Sequence, residues 1–414
     1  MKKYFFKFLK GFFFFLLGII LVVNIFILLS GRFYLYKGVA NTYLIGKAGP
    51  SIYDLDVFYN RTVHKNGAAE EPLYHSKYNT TSLNKQDRAF VESLDTRALL
   101  VYKGDSLIYE EYWDQHNKGQ VSNSFSVAKT LVALLIGIAV DEGKIKSLDE
   151  PVANYIKKFK EGGREKITIR QLLQMSSGLD WEESGKNPLS DNAESYYGTD
   201  LYGLVTRQRI ITNPGSEFLY QSGNSQLLSF ILNKATGKST SKYAEEKIWS
   251  RIGMTGDAFW NLDKEGGDEK AFCCLYANAR DYGKLGLLLE NEGKYKEKQI
   301  IPEWYYKEMI ANPEGMGTEE GVKNTRYGLH IWTYLGGDSP VYYCRGINGQ
   351  YIITIPKENL TIIRLGEKKL KNFEIPKNKE GNLRWIKENE AKIGHSLGLF
   401  KYIALGKSIA SQIK

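Results

Sequence analysis

The sequence predicts an α/β fold of the α+β kind: an antiparallel sheet assembled from both ends of the chain, flanked by helices, with a mostly helical insertion between. Three observations carry this. Segments of strand character sit at 98–109 and again at 327–365; helical periodicity with Gly and Asn punctuation dominates 141–320; an uncharged apolar run stands ahead of both, at 11–30. The chain divides accordingly into 1–35 (a cytoplasmic stub and transmembrane anchor), 36–90 (an extended segment), 91–140 with 321–414 (the sheet domain) and 141–320 (the helical domain).

Residues 11–30 hold no charge and one polar amide, Asn24. Twenty helical residues cover about 30 Å, the thickness of a bilayer core. Lys2, Lys3, Lys7 and Lys10 precede the run, and only Arg32 and Lys37 follow closely. The positive-inside rule therefore expects a single-pass protein of the cell membrane with everything after residue 35 or so on the extracytoplasmic side. A cleaved signal peptide is the competing reading. Its apolar core runs about 7–15 residues, and Leu28-Leu29-Ser30 is a poor cleavage site.

Residues 36–90 are polar, aromatic and loop-like, and are expected to wrap the domain. Ala98 to Tyr102, the turn Lys103-Gly104-Asp105 and Ser106 to Tyr109 read as a β-hairpin. Thr130 to Val140 is apolar on every face, a buried helix opening at or just before Ser126. Helical spacing continues at 169–175, 226–235 and 279–289, with Asp281 as a first-turn acid. Strands are expected at 327–334, 341–345, 350–355 and 360–365, the last two joined by the turn Pro356-Lys357-Glu358-Asn359, and helix at 383–414.

The 414 residues are 43% hydrophobic and 25% charged, a globular balance with room for one large or two medium domains. The formal charge of +9 owes much to the four N-terminal lysines, and no basic stripe with interleaved aromatics appears, so nucleic acid is not an expected partner. Three cysteines make no disulfide framework. Cys273 and Cys274 are adjacent and Cys344 lies in an apolar strand; all three read as buried thiols, with one long-range bridge left open.

Chemistry gathers at Ser126-Val127-Ala128-Lys129. A serine at a helix start sits among unpaired N–H groups at the positive end of the dipole. A lysine three residues on shares its face, and burial of the amine favours the neutral form that can accept the hydroxyl proton. The spacing alone is weak: it recurs at Ser82–Lys85, Ser239–Lys242 and Ser411–Lys414, none of which opens an apolar helix. An ordinary helix cap with a snorkelling lysine is the alternative. Two other segments suit such a nucleophile. In one, 214–224, Tyr220 and Ser222 lie two apart on a turn feeding a helix, where a phenol can relay a proton. In the other, 344–350, Gly346 and Gly349 break a strand edge and leave the N–H of Ile347 placed, with that of Ser126, to stabilise an oxyanion. Each is equally a packing tyrosine on a polar loop or a bulged strand.

Ser-x-x-Lys, a Tyr-x-Ser downstream and a Gly-containing strand near the C-terminus, in that order, resemble the serine β-lactamase and penicillin-binding superfamily. The segments 141–152, 167–181 and 279–286 are similar to its class C branch. Ser124-Phe-Ser-Val-Ala-Lys129 and Gly346-Ile-Asn-Gly-Gln350 resemble its esterase-like and aminohexanoate-dimer (nylon oligomer) hydrolases. The resemblance covers about residues 90–370 and implies a β-lactamase-like fold. It also implies roles: Ser126 attacks a carbonyl and forms an acyl-enzyme; Lys129 and Tyr220 handle protons with Ser222 in support; the N–H groups of Ser126 and Ile347 form the oxyanion hole. Trp181, Tyr196, Tyr197, Gly346 and Gln350 are candidates for substrate binding. The third motif departs from the penicillin-recognising pattern, because Cys344-Arg345-Gly346 stands where Lys-Thr-Gly or His-x-Gly is usual, and Arg345 alternates to the other strand face. Ser222 also replaces a common asparagine. Both changes favour neutral esters or amides.

No Gly-x-Ser-x-Gly elbow, zinc-protease motif or phosphate loop is present, and the five histidines lack ligand spacing; His330 reads as structural. No metal or organic cofactor is expected. The readings left standing are a membrane-anchored hydrolase of small esters or amides, held by residues 11–30; a cell-wall DD-peptidase or β-lactamase; and a catalytically silent receptor.

Overall fold

The structure, a computed structural model, describes residues 2–413. Its first element is the long helix α1 (Lys2–Ser30), almost wholly exposed along its apolar length, followed by the short helix α2 (Tyr34–Ala40). The main sheet has seven strands: β1 (Leu73–Tyr74), β2 (Thr96–Lys103), β3 (Ser106–Tyr112), β4 (Trp332–Tyr334), β5 (Val341–Gly346), β6 (Gln350–Ile355) and β7 (Leu360–Gly366). Their spatial order is β4-β5-β6-β7-β2-β3-β1, antiparallel except where β1 runs parallel to β3. Strands from both parts of the chain meet at the β7–β2 pair, with Ile362 opposite Val101 and Ile363 opposite Leu100.

Strand alternation assigns each face its cover. Ile362, Val101 and Ile353 pack with Leu399, Tyr402 and Leu405 of the terminal helix α6 (Leu397–Ser411), whereas Leu100, Ile352 and Ile363 pack toward α3 (Val127–Asp141) and α5 (Ala279–Glu290). α3 is buried from Val127 to Ala139, as its all-round apolar sequence requires.

The expected hairpin and last three strands are present, but 327–334 is strand only at β4. There Tyr327 bridges back to Trp332, and His330 adopts a left-handed backbone (φ 55). The helical middle also contains strands. Ala258–Asn261 and Leu275–Ala277 form a second sheet with Asn60–Val63 and Ser122–Asn123, so the extended segment contributes strands to both sheets. Cys344 is a buried free thiol, while Cys273 and Cys274, expected as separate thiols, are joined to each other.

Candidate active site

Ser126 sits at the head of α3 behind a forced turn. Asn123 Oδ1 accepts the N–H of Phe125 at 2.8 Å, and Phe125 is held at φ 47, an uncommon conformation for a bulky residue. The half-buried Ser126 hydroxyl makes no capping bond to its own helix. Lys129 Nζ lies 3.0 Å from it and donates to the carbonyl of Phe272 at 2.6 Å. Lys129 is 1% exposed, and burial pushes its pKa down to about 8, the Glu183 carboxylate pulling the other way.

Tyr220 closes the other side: its ring centroid is 5.2 Å from Lys129 Nζ. Burial and then Glu183 raise its pKa above the usual phenol range, against a hydrogen bond with Ser126 and the charge of Arg345. The turn carrying it is fixed by Gln221, whose amide donates to Leu179 O at 2.6 Å and whose Oε1 accepts from Ser177 at 3.2 Å. Trp332 stacks on Tyr220 with centroids 5.6 Å apart, and the Arg345 guanidinium lies 3.9 Å over Trp332. Alternation does turn Arg345 away from Cys344, but onto the face that carries this aromatic column.

Ser222 begins α4 (Ser222–Thr236) and turns to a residue sequence reasoning missed. Glu183 accepts from Ser222 Oγ at 2.6 Å, Ser222 N at 2.7 Å and Trp181 Nε1 at 2.7 Å. It therefore caps α4 while setting the electrostatics of both Lys129 and Tyr220. Its only sequence signal is its place two residues after Trp181.

β5 reaches the Ser126 turn through Gly346. A Cβ there would stand 2.3 Å from Ser124 O, so only glycine lets the strand end touch the Ser126 turn. Ile347 follows, exposed, on a loop tied by Gln350, whose side chain donates to Ile347 O at 2.9 Å and Gly366 O at 2.7 Å. Gln350 is 0% exposed and belongs to the framework instead of the substrate wall. The same correction holds for Trp181, wedged against Gly223, and for Tyr196, buried beside Phe58. Tyr197 is half-buried against Phe58 and Gly38. In each case proximity to a motif in sequence does not give the direction of the side chain. His330 is fully packed, its ring bonded to Leu173 O and Ser225 Oγ at 2.8 Å each. Among the described residues no group of three or more potential metal ligands occurs.

A serine hydroxyl beside a buried low-pKa lysine and a phenol, at the edge of a sheet flanked by helices, defines a serine hydrolase of the β-lactamase type. The beta-lactamase family model matches residues 87–380, and the chain belongs to that family. The 6-aminohexanoate-dimer hydrolase of Paenarthrobacter ureafaciens is 24% identical over 291 residues, 66% of this chain and 73% of that protein. A Bacillus anthracis structure assigned as a 6-aminohexanoate-dimer hydrolase superposes with a TM-score of 0.67 at 22% identity, covering 77% of this chain and 87% of its own. A family VIII carboxylesterase superposes with a TM-score of 0.58 at 16% identity, covering 78% and 98%.

Proposed function

We propose that this chain is a membrane-anchored serine hydrolase that cleaves ester or amide bonds of small substrates through an acyl-enzyme on Ser126. The observation that carries this is the 3.0 Å separation of Ser126 Oγ and Lys129 Nζ, with the amine buried and its pKa near pH 8. The neutral amine takes the hydroxyl proton as Oγ bonds to the substrate carbonyl carbon. Negative charge gathers on the carbonyl oxygen, and the N–H groups of Ser126 and Ile347 stabilise it. Collapse breaks the scissile bond; the proton held by Lys129 passes, through the Tyr220 phenol, to the departing alcohol or amine. Water then attacks the acyl-Ser126 ester by the reverse proton path. Ser222 supports this by holding Glu183 at the rim.

Cys344 and Arg345 favour this reading over a penicillin-recognising one. The thiol is buried against α3 with its pKa pushed up to about 12, and the guanidinium is committed to Trp332, Asn372 and Gly394. Neither of these two side chains is left to hold a β-lactam carboxylate. The names of two of the similar proteins, a 6-aminohexanoate-dimer hydrolase and a carboxylesterase, support the same class. The apolar helix with lysines ahead of it supports single-pass anchoring in the cell membrane, with the domain outside the cytoplasm.

The test is hydrolysis of a p-nitrophenyl short-chain ester, a linear amide and a chromogenic cephalosporin by detergent-solubilised protein. We expect turnover of the first two, a mass increment of one acyl group on Ser126, and loss of roughly a thousandfold or more in Ser126→Ala. Wild-type-like turnover by Ser126→Ala rejects the assignment.

A further inference from the structure

The junction between α1 and the domain is not a free linker. Only Gly31, Arg32 and Phe33 separate the two helices, and α2 folds back so that the Tyr36 hydroxyl donates to Asn24 Oδ1 of α1 at 2.6 Å. One face of α2 is seated on the domain. Tyr34 is buried and donates to Pro188 O at 3.1 Å, Lys37 Nζ stands 4.1 Å over Phe58, and Gly38 lies against Tyr197. Arg32 adds a bond to Leu189 O at 3.0 Å. The opposite face carries exposed Phe33, Tyr36 and Val39, spaced three residues apart, and beyond the end of α2 a separate turn, Tyr43–Ile45, exposes Tyr43, Leu44 and Ile45 as well.

We infer that this stripe, residues 33–45, is a bilayer-resting platform that lies in the headgroup layer of the membrane crossed by α1 and fixes the tilt of the catalytic domain. The inference rests on the membrane-anchored reading above. Tyr36 sets the direction: it belongs to the stripe and touches Asn24, about 9 Å from the end of α1 at 1.5 Å per residue. The exposed side of α2 therefore faces the same way as the membrane helix. Tyrosines with neighbouring Phe, Leu and Ile side chains are the residues that the water–lipid boundary accepts, rings at headgroup depth and aliphatic groups just below. α2 also holds Pro188 and Tyr197, in the stretch that begins five residues after Glu183.

The experiment reads depth in the full chain reconstituted into vesicles. Cys273 and Cys274 are bonded and Cys344 is buried, so one introduced cysteine is the accessible thiol. Leu17→Cys, Leu44→Cys and Lys401→Cys, the last on the outer face of α6, each receive an environment-sensitive dye. Quenching is measured in phosphatidylcholine brominated near the headgroup end of its chains. Strong quenching at 17 and at least roughly threefold more at 44 than at 401 is the expected result. Quenching at 17 with none at 44, as a second copy or another protein seated on the stripe would produce, overturns the platform and leaves the anchor. Equal quenching at 44 and 401 also overturns it. No quenching at 17 removes the anchor and the platform together.

Discussion

Ser126 and Ser239 each have a lysine three residues downstream, and the structure shows what separates them. Ser239 Oγ accepts the Lys242 N–H at 3.2 Å as a helix cap, and the Lys242 ammonium is exposed and paired with Glu245. Ser126 makes no cap, and its lysine is buried with Nζ turned to the hydroxyl. Burial favours the uncharged amine, so the fraction competent to accept a proton rises with pH and reaches half near 8. The ester-hydrolysis rate should rise through an inflection near pH 8 and level off above it. Were Tyr220 phenolate the base, its raised pKa would carry the rise to more alkaline pH. Glu183 sharpens the test. Its carboxylate holds the Lys129 pKa up, so Glu183→Gln should move the inflection to lower pH while costing about 1–2 kcal/mol of stability in denaturant unfolding through the weakened cap on Ser222 and Trp181. An unmoved inflection would mean that the two groups are not electrostatically coupled.

Among elements, β5 and the turn before α3 are packed to the limit at Gly346 and Ser124. Gly346→Ala places a methyl group 2.3 Å from Ser124 O, so the strand end must retreat from the Ser126 turn. The expected outcome is a stability loss of roughly 1–3 kcal/mol, with a fall in kcat larger than any change in KM, measured by unfolding and by steady-state kinetics. Elements with a strong period of their own were readable from sequence: β6 occupies 350–355 as expected, and α3 follows from an unbroken apolar run. The second sheet was not, because Ala258–Asn261 and Leu275–Ala277 are short apolar pieces within helical surroundings, and the outer partner, Asn60–Val63, lies about two hundred residues away in sequence. Candidate residues from motifs, Ser126, Lys129 and Tyr220, do converge in space. Those chosen for lying next to motifs, Trp181, Tyr196 and Gln350, turned inward, and Glu183, one acid among 47, carried no pattern to mark it.

At the scale of the molecule, α6 covers one face of the main sheet with Leu399, Tyr402, Leu405 and Ile409, each buried. Removing them exposes apolar surface worth about 6–12 kcal/mol, comparable with the net stability of a whole domain. A chain ending at Ser396 should therefore partition into the insoluble fraction on expression, and recovery of a soluble chain with normal ester turnover would contradict this packing.

The position of β7 has a temporal meaning as well. It joins the strands before α3 to those near the C-terminus, and Gly346, from the same late stretch, packs against the turn that carries Ser126. Pairings so remote in sequence close slowly. A nascent chain must therefore have released Gly346 before the turn that carries Ser126 can meet its strand partner. Synthesis itself thus delays the onset of catalysis.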